Sequence, residues 1–310
     1  MEKISSSTWG YRKWNLEDAM ASMAKIGYKG VEIVTHHLGT SIRYHLTPNM
    51  ERTRIEKIKK LTDSLGLKIV CISPASDFLK PISRSLKGDI ELVKKNIDMA
   101  LELDCNLVRP LAAWKKPEEM SREDAINVIV KGLKECAKYA EAREVKLALE
   151  NHGLFDRVPN NLIDIVTKVS SDYLGVCLHT REDFMDILKA IPEKIFHLHL
   201  MDFKKLSEDY KTIWDLKWTG LNKNQIVSKT GFPADFVKKV LSQGIPAVSL
   251  GDGDLDVETT LKILKEHGYN GWYNYEGHDA ENPEEDAKKS YLYLVRCLKR
   301  STKFVMNKHA

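Results

Sequence analysis

The sequence is poor in cysteine, and none of its cysteines stands in a CxxC pair. The odd set of five is scattered along 310 residues: Cys71, Cys105, Cys136, Cys177 and Cys297. A disulfide scaffold has an even set of cysteines, and a structural zinc knuckle is typically marked by a closely spaced CxxC pair. The sequence therefore predicts neither of them, and it favours the reducing cytoplasm as the location of the protein.

Long apolar runs and an excess of one charge are also missing. No stretch approaches the roughly 20 apolar residues that span a bilayer, and residues 1–7 lack the apolar centre of a signal peptide. The net charge is only +4, with 48 basic and 44 acidic residues interspersed along the chain. Because nucleic-acid binding needs a concentrated basic surface, we expect neither a membrane nor a nucleic-acid partner.

The chain has the composition of a folded protein and the length of one large domain or two small ones. Hydrophobic residues make up 43% and charged residues 30%, with 17 glycines and 10 prolines, which excludes collagen-like and disordered chains. Apolar periodicity alternates between strand-like and helix-like segments along the whole length. The predicted strands cover residues 4–9, 31–34, 67–72, 106–109, 145–150, 174–178, 195–200 and 272–275.

Strands that are each followed by a helix, with no linker between them, predict a single α/β domain, a (β/α)8 TIM barrel over residues 1–310. A doubly wound sheet is the alternative, but it would show a GxGxxG phosphate turn after its first strand. The late cluster from Gly251 to Asp254 is acidic and would repel a pyrophosphate. A long insertion after strand seven, at about 203–250, exceeds an ordinary connection and predicts a lid or a partner-binding excursion.

The last four predicted strands end in residues that can bind a metal. Side chains alternate along a strand, and the active site of a barrel lies at the C-terminal ends of its strands. On the inward parity, these ends carry Glu150, His179, His199 and Glu276. Because buried carboxylates without partners are strongly disfavoured, two of them beside two imidazoles indicate a divalent cation.

The segments around these residues resemble the sugar phosphate isomerase/epimerase superfamily of xylose isomerase-like barrels. The motifs are Leu149-Glu150-Asn151-His152, His197-Leu198-His199-Leu200-Met201-Asp202, Gly268-Tyr269-Asn270-Gly271 followed by Glu276, and Gly27-Tyr28-Lys29-Gly30-Val31-Glu32. The resemblance covers nearly the whole chain except the insertion. It implies that Glu150, His199 and Glu276 are metal ligands. It also implies that Glu150 and Glu276 face each other across the substrate as the proton-transfer pair.

The chain departs from the family pattern on and after the sixth strand. The family usually has an aspartate where this chain has His179, and often a histidine where this chain has Glu182. An imidazole can replace a carboxylate as a metal ligand, but the site then carries one negative charge fewer. The departures therefore leave the identity of the substrate open.

A site of two carboxylates and two imidazoles, together with the resemblance, predicts a divalent-metal-dependent isomerase or epimerase of a keto-sugar or a related polyhydroxylated carbonyl compound. The cation would polarise the carbonyl, one carboxylate would remove the adjacent proton to give an enediolate, and the other would return it. Loss of a β-hydroxyl instead would give a dehydratase acting on an inosose-like substrate, which is the alternative. Two imidazoles among four ligands favour Mn²⁺, Co²⁺, Fe²⁺ or Zn²⁺ over Mg²⁺, and Mn²⁺ is the first choice.

Further candidate residues surround the predicted centre. His152 is expected to act as an acid/base, to donate a hydrogen bond to the substrate, or to form a hydrogen bond to a metal ligand. Arg109 is expected to hold an anionic or hydroxyl-rich substrate group, or to form an ion pair at the rim. Asp202 is expected to contact substrate, to orient a ligating histidine or to cap a turn. One of His36 and His37, after strand two, should face the pocket.

Other functions remain open within the same superfamily. An endonuclease IV-like phosphodiesterase fits a near-neutral chain poorly, because such enzymes need a basic surface for nucleic acid. Some members are metal-binding subunits of hetero-oligomers that cleave C-glycosides, and the insertion offers a surface for such a partner or for a second copy of the chain. A barrel that binds a sugar without turning it over is the non-catalytic alternative.

Overall fold

The structure is a computed structural model that describes residues 3–35, 45–79, 85–180, 184–218, 221–243, 247–278 and 280–308. Its strands are β1 (Ile4–Ser7), β2 (Gly30–Val34), β3 (Lys68–Ser73), β4 (Leu107–Val108), β5 (Lys146–Glu150), β6 (Leu174–His179), β7 (Ile195–His199), β8 (Asp202–Phe203), β9 (Ala247–Val248) and β10 (Tyr273–Tyr275). Its helices are α1 (Leu16–Ile26), α2 (Arg52–Ser64), α3 (Leu86–Glu102), α4 (Arg122–Glu141), α5 (Pro159–Val169), α6 (Phe184–Ala190), α7 (Glu208–Trp218), α8 (Lys223–Thr230), α9 (Ala234–Gln243), α10 (Val257–Glu266) and α11 (Pro283–Lys308). Within these ranges, no helix is both long and apolar enough to cross a membrane.

Eight of the strands form one parallel sheet that curls into a barrel. Their order is β10-β1-β2-β3-β4-β5-β6-β7, so that the strands from β1 to β7 follow one another in chain order and β10 lies beside β1. The two ends of the sheet meet at Leu200, whose backbone N–H donates to the Asn274 carbonyl at 2.8 Å. The Glu276 N–H in turn donates to the Leu200 carbonyl at 2.9 Å. The predicted TIM barrel is therefore confirmed.

Glycines end two of the helices directly before a barrel strand. Gly27 follows α1 with a φ of 119°, and Gly268 follows α10 with a φ of 80°. This left-handed backbone conformation is readily adopted only by glycine. Each of these glycines begins a Gly-Tyr-x-Gly segment that leads into the next strand, β2 or β10.

A small apolar cluster fills the barrel beneath the strand ends. It consists of Val70, Cys71, Leu107, Ala148 and Cys177. Ala148 and Cys177 lie two residues before Glu150 and His179 on the same strands, and therefore share their inward parity. All five cysteines are free and buried. The polar residues at the mouth of the barrel thus rest on an apolar floor.

The insertion is a folded helical unit with a core of its own. Strands β8 and β9 pair antiparallel at its base, with Asp202 opposite Val248. Helices α7, α8 and α9 enclose buried Ile213, Trp214, Ile226, Val237 and Val240. An ion pair of 3.7 Å joins Asp215 on α7 to Arg157 in the segment after β5. A lid or a partner surface stays the prediction for this unit.

Candidate metal centre

The ends of β5, β7 and β10 bring three of the predicted ligands to one point. Glu150, His199 and Glu276 are buried, and their ligand atoms lie within 4.8 Å of one another. The Nδ1 atom of His199 lies 2.9 Å from Glu150 Oε1 and 3.4 Å from Glu276 Oε1. Two carboxylates and an imidazole at this spacing can hold one divalent cation.

The fourth predicted ligand lies on the far side of Glu276. The Nε2 atom of His179 is 3.4 Å from Glu276 Oε2. His179 and Glu276 form a second group of potential ligands with His278, whose Nε2 is 3.7 Å from the same Oε2. The structure therefore brings all four predicted ligands to the mouth of the barrel, but it divides them into two groups that share Glu276.

Glu32 contacts the centre, and the sequence pattern did not single it out as a site residue. It lies in β2, is fully buried, and its Oε2 is 2.8 Å from Nε2 of both His197 and His199. The Ser73 hydroxyl and the Asn274 side-chain amide donate to Glu32 at 2.6 Å and 2.9 Å. A single charged residue within the apolar strand Val31-Glu32-Ile33-Val34 was the signal in the sequence that could have revealed it.

The contact with Glu32 selects the nitrogen that His199 presents to the centre. With its Nε2–H donated to Glu32, His199 turns the other ring nitrogen, Nδ1, towards Glu150 and Glu276. A carboxylate behind a histidine is the usual arrangement that fixes the tautomer of a metal ligand. Glu32 is thus placed to orient His199, although the two residues are 167 positions apart in the chain.

The electrostatics of the centre favour a positive charge at this point. Burial by itself would raise the pKa of Glu150, but the positive groups His199 and Arg109 hold that pKa well below its usual value. Burial likewise opposes ionisation of Glu276, and His199 and His179 nevertheless hold the pKa of that carboxyl low. Glu276 Oε2 is buried and makes no hydrogen bond to another described residue. Two ionised carboxylates, one of which has an oxygen without a hydrogen bond, form a suitable environment for a cation.

Arg109 and His152 both lie against Glu150. Nη1 of Arg109 is 3.3 Å from Glu150 Oε2, and Nδ1 of His152 is 3.4 Å from Glu150 Oε1. The ring of Trp114 lies 5.2 Å from that of His152, measured between centroids. Arg109 is buried, whereas the His152 side chain is 27% exposed. Contacts of these two residues with substrate stay predictions, and the structure places both at the mouth.

Asp202 closes the loop that follows the insertion. Its carboxylate accepts hydrogen bonds from the backbone N–H groups of Phe203, Gly251, Gly253 and Leu255, at 2.9 to 3.1 Å. This is the capping alternative among the roles expected for Asp202, and its predicted contact with substrate stays a prediction. His36, His37 and Glu182 lie outside the described residues.

Known proteins share this architecture. A family model described as a xylose isomerase-like TIM barrel matches residues 20–297. An inosose dehydratase of Clostridium botulinum is 26% identical over 183 residues, covering 56% of this chain and 54% of that protein. This chain thus spans about half the length of the curated relatives it matches.

Solved structures show the same fold at low sequence identity. A D-tagatose 3-epimerase-like protein is 21% identical, with a TM-score of 0.69 and coverage of 98% of this chain and 99% of that chain. The IOLI protein, solved with a zinc atom, is 17% identical, with a TM-score of 0.68 and coverage of 96% and 99%. Because the family model matches most of its length, this chain belongs to the xylose isomerase-like TIM barrel family.

Proposed function

We propose that the chain is a divalent-metal-dependent isomerase or epimerase of a keto-sugar or a related polyhydroxylated carbonyl compound. The observation that carries this proposal is the convergence of Glu150 and Glu276 on His199 Nδ1, at 2.9 Å and 3.4 Å. Two buried, ionised carboxylates beside one imidazole supply both a ligand set and a pair of groups for proton transfer. The likeness to a D-tagatose 3-epimerase-like protein supports the same class of reaction.

Glu150, His199 and Glu276 would hold the cation, with His179 next to them. The cation would act as a Lewis acid on the substrate carbonyl and would hold its neighbouring oxygens. We propose Mn²⁺ first, because a mixed set of imidazole and carboxylate ligands suits it, with Zn²⁺ as the next candidate. The IOLI protein, solved with a zinc atom, supports a cation that accepts both imidazole and carboxylate ligands.

Proton transfer would be carried out by the two carboxylates of the chain itself. With a cation bound and His199 neutral as its ligand, the cation itself would keep both carboxylates ionised and able to accept a proton from carbon. If one carboxylate removes the proton and the other returns it to the opposite face, the carbon is inverted. Return of the proton to the neighbouring carbon isomerises the substrate instead. Arg109, 3.3 Å from Glu150, would keep that base ionised.

A dehydratase is the second candidate, favoured by the similarity to an inosose dehydratase over about half of either protein. The first step is the same removal of a proton beside a carbonyl. The substrate then loses a β-hydroxyl as water instead of regaining the proton. The two reactions therefore need the same carboxylates and differ in the substrate that the mouth accepts.

Solvent exchange tests the proposal directly. The protein, reconstituted with Mn²⁺, is incubated in D₂O with a panel of ketoses and inososes, and the products are analysed by NMR and mass spectrometry. We expect deuterium at the carbon next to the carbonyl, and loss of water from an inosose if the enzyme is a dehydratase. Absence of deuterium from every substrate, with metal bound, would contradict the proposal. Glu258→Gln, on the outer helix α10, is the matched control and should exchange normally.

A further inference from the structure

We propose that His179, Glu276 and His278 form a second cation site that shares the Glu276 carboxylate with the first. This inference rests on the proposed function, because Glu276 also serves the first cation. Glu276 Oε1 faces His199 Nδ1 at 3.4 Å, whereas Oε2 faces His179 Nε2 at 3.4 Å and His278 Nε2 at 3.7 Å. A carboxylate with each oxygen turned to different nitrogens is arranged as a bridge between two cations.

The position of His179 explains why it joins the second group. The ligand atoms of Glu150, His199 and Glu276 cluster together, while His179 clusters with Glu276 and His278. An imidazole carries its Nε2 farther from the backbone than the carboxylate of an aspartate would reach. The backbone of His179 is fixed by Asn151, whose side chain accepts from the His179 N–H at 2.6 Å and donates to its carbonyl at 3.1 Å.

The second group is enclosed and incompletely hydrogen bonded. The side chains of His179, Glu276 and His278 are 1%, 7% and 16% exposed. Glu276 Oε2 and His278 Nε2 are buried and make no hydrogen bond within the described part of the chain. Buried polar atoms in this state lower the stability of a fold unless something satisfies them. A cation between them would satisfy the carboxylate oxygen and the imidazole nitrogen together.

Trp9 orients His278 and also competes with the cation. The Trp9 Nε1–H donates to His278 Nδ1 at 3.4 Å, which turns the other ring nitrogen towards Glu276. Because an indole can only donate, His278 carries its own hydrogen on Nε2 in this arrangement. Cation binding at Nε2 moves that hydrogen to Nδ1 and breaks the bond to Trp9. A hydrogen bond of this length is weak, so a metal–nitrogen bond can replace it.

The donor set selects the class of cation. Two imidazoles and one carboxylate suit Zn²⁺ or Co²⁺, whereas Mg²⁺ and Ca²⁺ require mainly oxygen ligands. Three protein ligands leave at least one position open for water or a substrate hydroxyl. The second cation would therefore bind a substrate oxygen near Glu276, on the side of the mouth next to Trp9.

Metal stoichiometry tests the second site without reference to activity. The full chain is stripped with a chelator and equilibrated with Zn²⁺ by dialysis, and bound zinc is measured by elemental analysis. We expect two equivalents of zinc for the wild type and one for His278→Ala. In His278→Ala the dissociation constant of the second zinc should rise more than ~100-fold, which exceeds the loss caused by removing a residue that only supports a metal ligand. His278→Gln is the second variant, and circular dichroism verifies that both variants are folded.

Two further variants separate the possible results. His267→Ala removes an exposed imidazole at the end of α10 and should still bind two equivalents. Trp9→Phe removes the competing donor and should bind the second zinc as tightly as the wild type or more tightly. One equivalent in both wild type and His278→Ala overturns the second site and leaves the proposed function standing. Absence of bound zinc from the wild type, and of bound Mn²⁺ when the dialysis is repeated with Mn²⁺, overturns both.

Discussion

Different kinds of interaction stabilise the mouth of the barrel and the insertion: hydrogen bonds between buried polar groups at the mouth, and apolar packing within the insertion. At the mouth, the fully buried Glu32 accepts hydrogen bonds from two imidazoles, a hydroxyl and an amide. In the insertion, apolar side chains such as Ile213, Ile226 and Val237 form the core. Substitutions at the mouth should therefore change ligand binding through charge and geometry, whereas substitutions in the insertion should change local packing. The expected effects below test this difference, from the largest to the smallest.

The largest effect is expected at the two carboxylates of the mouth. Glu150→Gln and Glu276→Gln should each lower kcat/KM by about 10²- to 10⁴-fold from lost proton transfer alone, and should also weaken metal binding. Turnover of whichever substrate exchanges in D₂O, together with the metal content, measures both losses. Full turnover by either variant would show that its carboxylate does not transfer the proton.

A smaller loss is expected when Glu32 is neutralised. Glu32→Gln keeps the size of the side chain but removes the charge that holds His199, and should weaken metal binding by about 10- to 100-fold. Calorimetric titration with Mn²⁺ measures this change. Glu258→Gln again serves as the control, because that carboxylate lies half-exposed beside Arg300. Unchanged affinity in Glu32→Gln would mean that His199 is held in place without Glu32.

The same apolar substitution should act differently in the two regions. Ile97 in α3 and Ile226 in α8 are both fully buried, and Ile→Val at either position should cost about 0.5–1.5 kcal/mol. Ile97→Val should lower the stability of the whole barrel, whereas Ile226→Val should destabilise only the insertion and leave metal affinity unchanged. Hydrogen exchange resolves the two regions. Loss of protection throughout the barrel in Ile226→Val would show that the insertion and barrel unfold as one unit.

The smallest effect is expected where the two regions touch. The ion pair between Arg157 and Asp215 spans 3.7 Å, with side chains 37% and 46% exposed, so Arg157→Ala should cost at most about 1 kcal/mol. Faster hydrogen exchange in α7 would report this loss. The double variant Arg157→Asp with Asp215→Arg reverses the two charges and should restore the protection of α7 against hydrogen exchange. If the single and the double variant exchange alike, the ion pair does not hold the insertion against the barrel.

Local patterns were enough to predict much of the molecule. Alternating periods of two and of about 3.6 residues identify the strands and helices, and their order predicts the barrel. The strand-end residues Glu150, His199 and Glu276 could be selected because parity along a strand is a local property. The insertion was visible only as an overlong connection, and its three-helix structure was not predicted, because short helices around a separate core give a weak periodic signal.

The amino-acid sequence by itself determined the barrel and the residues that could reach its mouth. Only the tertiary structure decided which of those residues meet across it: Glu32 with His199, and His179 with His278 instead of Glu150. The reason is that contacts across a barrel depend on the register between strands, which shifts between Val31 and Glu32 and again between Val176 and Cys177. Such irregularities re-aim side chains, and the pattern of a single strand does not contain them.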